Sequence, residues 1–140
     1  MPIPDFQTYS QFVYSLQERY LSIQHSTLVL STIGSTLAKL EGQITFESGV
    51  VLDVWELLDF DVGRILNYSY EVYRTGEKIL WYDPFEHPHT PELASTFPHH
   101  KHIPPDIKHH RIPAPGISFE QPNLPLLIEE IKRQVLSPSA

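Results

Sequence analysis

Seven of the eight histidines in this chain fall between Asp83 and Arg111, in a stretch broken by prolines whose centre reads Phe97-Pro98-His99-His100-Lys101-His102. Imidazole titrates near neutrality, ligates metals and moves protons, and clustering it on irregular backbone is hard to explain by packing alone. Proton-transfer chemistry on an anionic substrate needs a base, an acid and a cation. Two of His99, His100 and His102 are the candidate base and acid, Lys101 or Arg111 the candidate cation, and Asp83 the carboxylate at the entrance to the segment. If residues 99 to 102 are extended, alternation puts His100 and His102 on one side and His99 and Lys101 on the other, so the four cannot all face one substrate.

The same residues allow a metal site. His87 and His89, together with His100 or His102 and with Asp83 or Glu92, offer the three imidazoles and one carboxylate that zinc accepts, although no standard spacing such as His-Glu-x-x-His is present. The plainer alternative is that the histidines cap turns, bond to carbonyls of the proline-rich loop or stack on Trp81 and Tyr82 without turnover. His109-His110-Arg111 reads as a solvated or partner-binding surface. The acidic group Asp53, Glu56, Asp59 and Asp61 reads as the polar face and turn of a hairpin rather than a cation site.

Composition limits the partners. The 140 residues suit one domain, residues 1–140, able to bury a core without disulfides, and the absence of cysteine removes thiolate chemistry and fits a reducing compartment. A formal charge of −7 argues against coating nucleic acid non-specifically, which depends on many Lys and Arg contacts. Between Phe97 and Arg111, however, Asp106 is the one carboxylate against Lys101, Lys108, Arg111 and five histidines, a local patch able to take one anionic group. Met1 to Asp5 carry no basic or apolar leader and no run is long enough to span a membrane, so a soluble cytoplasmic protein without a membrane partner is expected.

The elements that must position these residues can be read from periodicity. Phe6, Tyr9, Val13, Leu16, Tyr20 and Ile23 form a helical stripe behind an Asp5 N-cap, with the helix ending near His25. From Leu37 the period becomes two, with Ala38, Leu40, Ile44 and Phe46 on one face, and Glu47-Ser48-Gly49 turns the chain so that Ile44 meets Leu52. A further strand from about Ile65 to Arg74 turns at Thr75-Gly76, which sets Val72 against Ile79, Tyr70 against Trp81 and Tyr68 against Asp83. Near the end, Asn123 is a candidate N-cap, and Leu124, Leu127, Ile128, Ile131 and Val135 share a helix face. The expected fold is α+β: an N-terminal helix, a four- to five-stranded antiparallel β-meander, a His/Pro-rich irregular segment and a C-terminal helix.

The succession of Tyr68-x-Tyr70, Trp81-Tyr82-Asp83, His87-Pro88, Pro91-Glu92-Leu93 and Phe97-Pro98-His99-His100-Lys101-His102 resembles the TumE family of toxin–antitoxin proteins, from about Ser26 to the C-terminal helix. The resemblance implies a small prokaryotic toxin of a type II pair, neutralised by a cognate antitoxin that often carries a helix-turn-helix domain. A helix followed by an antiparallel meander is also similar to the RelE/ParE-like toxins, many of which cut messenger RNA. On that footing the histidines are candidates for metal-independent RNA cleavage, and Tyr68, Tyr70, Tyr82 and Arg111 for RNA binding. Ser69, Glu71 and Pro84 depart from the family pattern, which has basic or His residues beside the tyrosines and Asn after the Asp. The alternative is a non-enzymatic interaction or zinc-binding module of the same fold, and assembly with a second copy stays open.

Overall fold

The computed structural model describes residues 2–136. Two short helices, α1 (Phe6–Val13) and α2 (Leu16–Arg19), stand where one helix is expected, and Asp5 caps the first by accepting the Thr8 N–H at 2.8 Å. The chain is already extended by β1 (Ile23–Ser26), so His25 lies on a strand rather than at a helix end. Then follow β2 (Val29–Ile33), β3 (Leu37–Phe46), β4 (Val50–Asp59), β5 (Arg64–Arg74) and β6 (Glu77–Asp83). The segment expected to be irregular contains two more strands, β7 (His100–His102) and β8 (Arg111–Pro113), before α3 (Leu124–Ile131). The sheet therefore has eight antiparallel strands, more than the four to five expected.

Strands β3 to β8 neighbour one another in chain order, and β1 and β2 share the outer edge of β3. Gly42 permits this break. Its φ of +141° is open to glycine, and a Cβ there would meet the Thr27 carbonyl oxygen at 2.6 Å, where the chain crosses from β1 to β2. The alternation expected for β3 holds: Ala38, Leu40, Ile44 and Phe46 are all buried, and Ile44 pairs with Leu52. The α-helices cover this face. Tyr9 and Val13 of α1 and Leu124, Leu127, Ile128 and Ile131 of α3 join the β3–β6 side chains in one buried cluster. The opposite face of β4, with Val51, Asp53, Trp55 and Leu57, stays half-buried under no helix.

At the Thr75-Gly76 hairpin, positive φ at both residues (47° and 84°) gives the tight turn expected, and Arg74 pairs with Glu77. Beyond it the expected register is corrected by a bulge. Tyr73 pairs with Lys78 and Val72 with Leu80, so Ile79 is an extra residue. Tyr70 therefore faces Tyr82, not Trp81, and the parity of everything beyond is reversed. Trp81 and Asp83, which ideal pairing would turn to the core, come out on the open face, while Tyr82 goes inward at 2 % exposure.

Candidate functional site

That reversal builds the site. Asp83 of β6 pairs with His100 of β7 and Trp81 with His102, while His102 pairs with Arg111 of β8, so these five side chains share the open face. They line a cavity of about 540 Å³ with Trp55, Tyr68, Phe85, His87 and Lys108. His102 stacks on Trp81 with centroids 4.3 Å apart, and its Nε2 stands 3.0 Å from Asp83 Oδ2. His100 Nε2 stands 3.2 Å from Oδ1 of the same carboxylate. Burial pushes the Asp83 carboxyl up, but the facing imidazoles and the Phe85 N–H, donated at 2.8 Å, outweigh it and hold the group well below the usual carboxylate range.

The surroundings supply positive charge and an aromatic wall. Lys108 and Arg111 are the cations of the cavity, and Arg111 Nε is buried with no hydrogen-bond partner among the described residues. A buried guanidinium N–H without an acceptor is a place for an anion's oxygen. His87 sits at the mouth, its ring centroid 5.0 Å from that of His100, and desolvation and then the Arg111 charge push its pKa down.

Other residues singled out from the sequence lie elsewhere. Alternation sends Lys101 through the sheet to the helix side, where its Nζ is 2.7 Å from Glu130 of α3. His99 also leaves the cavity floor: its Nδ1 meets the Tyr68 hydroxyl at 2.5 Å and its ring packs on Phe119. Burial lowers the His99 pKa. Tyr70 and Tyr82 are core residues, hydrogen-bonded to Glu56 and Glu130, and offer no open ring face for a base. Tyr68 is 2 % exposed but reaches the cavity wall. His89 and Glu92 stand apart from Asp83, His100 and His102, which are the carboxylate and imidazoles whose ligand atoms gather within 4.8 Å among the described residues. His109 pairs with Asp106 on the surface at 3.1 Å, as expected of a solvated group.

Some residues were missed. Glu56 is not on a polar face: it is fully buried and accepts from Tyr9 (2.6 Å) and Tyr70 (2.5 Å), in the same parity as Val54 and Leu58. That parity was the available signal. Lys108, in the basic patch expected from sequence, does line the cavity, whereas Trp55 and Phe85 carry no sequence signal for it, because their meeting depends on the β6 bulge and on the path of the chain beyond it.

The class that this fold and site define is a small α+β protein with a carboxylate–imidazole cavity on the bare face of its sheet. Residues 14–135 match the family described as Toxin TumE, and the chain belongs to that toxin family. No curated protein and no solved structure matches it. Membership implies a cognate antitoxin as partner.

Proposed function

We propose that the protein is the toxin of a type II pair, acts in the cytoplasm on RNA, and does so in the cavity over Asp83, His100 and His102. One observation carries this reading: Lys108 and Arg111, whose buried Nε has no hydrogen-bond partner among the described residues, line one cavity with a carboxylate–imidazole cluster and an aromatic wall. Cleavage of a phosphodiester by the ribose 2′-hydroxyl needs a group that withdraws its proton, a group that protonates the leaving 5′-oxygen and cations on the phosphate. Lys108 and Arg111 take the phosphate, Trp55 holds a base, and the reaction runs at the Asp83–His100–His102 edge. The partner is an antitoxin, with a helix-turn-helix domain in the form common to the family.

The test is induced expression in a bacterial host beside a Lys108→Ala/Arg111→Ala variant shown to be soluble and folded. Wild-type expression is expected to arrest growth and leave RNA fragments with 2′,3′-cyclic phosphate ends. The variant should grow, with cleavage lowered by about 100-fold or more. Arrest with intact RNA would remove the RNA reading, and no arrest at good soluble expression would favour a non-enzymatic interaction module.

A further inference from the structure

The two histidines of the cavity floor are held alike. His100 Nδ1 lies 3.2 Å from the Pro98 carbonyl oxygen, and His102 Nδ1 lies 3.1 Å from that of Lys108. A carbonyl can only accept, so each ring keeps a proton on Nδ1. With Nδ1–H committed to a carbonyl, either ring holds Asp83 ionised from Nε2 only when that atom too carries a positive partner, a second proton or a cation; Nε2 stands 3.2 Å from Oδ1 for His100 and 3.0 Å from Oδ2 for His102. Lone pairs aimed at a carboxylate repel. Protonating both rings would instead bury two imidazolium ions, 1 % and 3 % exposed, against one carboxylate, with a heavy desolvation cost. His100 Nε2 marks the conflict: it is buried, points into the cluster, and lacks a hydrogen-bond partner among the described residues despite its nearness to Asp83.

A cation among the three atoms removes the conflict, and we propose that Asp83, His100 and His102 hold a divalent transition-metal ion of the zinc type. One ligand atom from each of the three residues already lies within 4.8 Å of the others. Two imidazoles and a carboxylate suit borderline ions such as zinc, whereas calcium takes six to eight oxygens and soft ions prefer the thiolates that this chain lacks. Donation of the remote Nδ1–H to a backbone carbonyl is the usual outer support of a metal-bound histidine, and both rings have it. Three protein ligands on a cavity floor leave a coordination position open, unlike a closed structural site. The set shares Asp83 and the later histidines with the one expected from sequence but not His87 and His89: His87 stands at the mouth and His89 outside the ligand group. Any part the ion plays in the reaction rests on the cavity being the reacting centre. Its binding does not.

The experiment uses the untagged full chain, stripped with a chelator and titrated calorimetrically with zinc chloride, beside thermal unfolding with and without the ion. One equivalent should bind at micromolar Kd or tighter and raise Tm by several degrees. Asp83→Asn, a near-isosteric change, and His102→Gln should each weaken binding at least tenfold, with folding checked by circular dichroism. A variant with alanine at His87, His89, His109 and His110 should still take one equivalent. Absence of a one-to-one site, or binding that survives Asp83→Asn and vanishes in the four-histidine variant, overturns the proposal. RNA cleavage is read separately. Stoichiometric zinc without cleavage keeps the metal site and removes the RNA reading, whereas undiminished cleavage by chain that binds no zinc does the reverse.

Discussion

Two carboxylates show how place decides chemistry in this protein. Asp83, with imidazoles and an N–H around it, is held ionised, whereas burial raises the pKa of Glu56 even though the Tyr70 and Tyr9 hydroxyls partly lower it. A carboxyl whose folded pKa is raised contributes stability that is complete below its unfolded value and is lost as pH rises through the folded value. Glutamine at this position cannot ionise, so the stability gap between wild type and Glu56→Gln should shift in favour of the variant as pH climbs from the ordinary carboxylate range. Each unit of pKa elevation is worth about 1.4 kcal/mol of that shift. Urea unfolding of both chains from pH 4 to 8 reads it, since every other titrating group is common to the two, and parallel curves would show that Glu56 is not held this way. Burial also drives the Tyr9 and Tyr70 hydroxyls well above their ordinary pKa, which keeps them donors to Glu56 throughout that range.

At the scale of elements, a single glycine lets one strand be paired by two. Gly42→Ala would force a Cβ to 2.6 Å from the Thr27 carbonyl oxygen and hold a non-glycine residue at φ +141°, so it should cost about 1–3 kcal/mol in urea unfolding. A change below about 0.3 kcal/mol would mean that the β1–β2 crossing is not fixed there. The long strands were legible because ten-residue alternation leaves little freedom: Leu40, Ile44, Leu52 and Leu58 all fall on the face that their spacing assigns. The opposition of His100 and His102 to His99 and Lys101 followed from the condition that the segment be extended, which it is. The extra residue at Ile79 was not legible, because a bulge depends on how two strands fit together and leaves no mark in either one's period. Nor were β7 and β8, which have three residues each, too few for a period, and which exist because β6 offers an edge to pair with. Proline 113 is tolerated since β8 is itself the outermost strand. Asn123 shows a subtler displacement: it stands before α3 as expected, but its side chain bonds to Ser118 and the Tyr70 hydroxyl instead of capping the helix.

For the molecule as a whole, charge and layering govern what can approach. With Lys108 and Arg111 as the cations of the cavity on a body of net charge −7, RNA binding should depend only shallowly on salt. Two phosphate contacts to a single strand give a log–log slope of about −1.4. Anisotropy of a short labelled RNA across a potassium chloride series measures it, and a slope steeper than about −4 would place the binding surface beyond the cavity. No helix among the described residues is long and apolar enough to cross a membrane. Helices α1 and α3 lie on one side of the sheet, tied there by Tyr9 to Glu56 and by Glu130 to Tyr82 and Lys101, and the cavity opens on the other. The bare side is the doorway to this cavity. A protein that lay across the bare side would compete for that threshold with the RNA of the proposed function, so silencing by such a protein would ask for no change of shape in the toxin: standing in the way is enough.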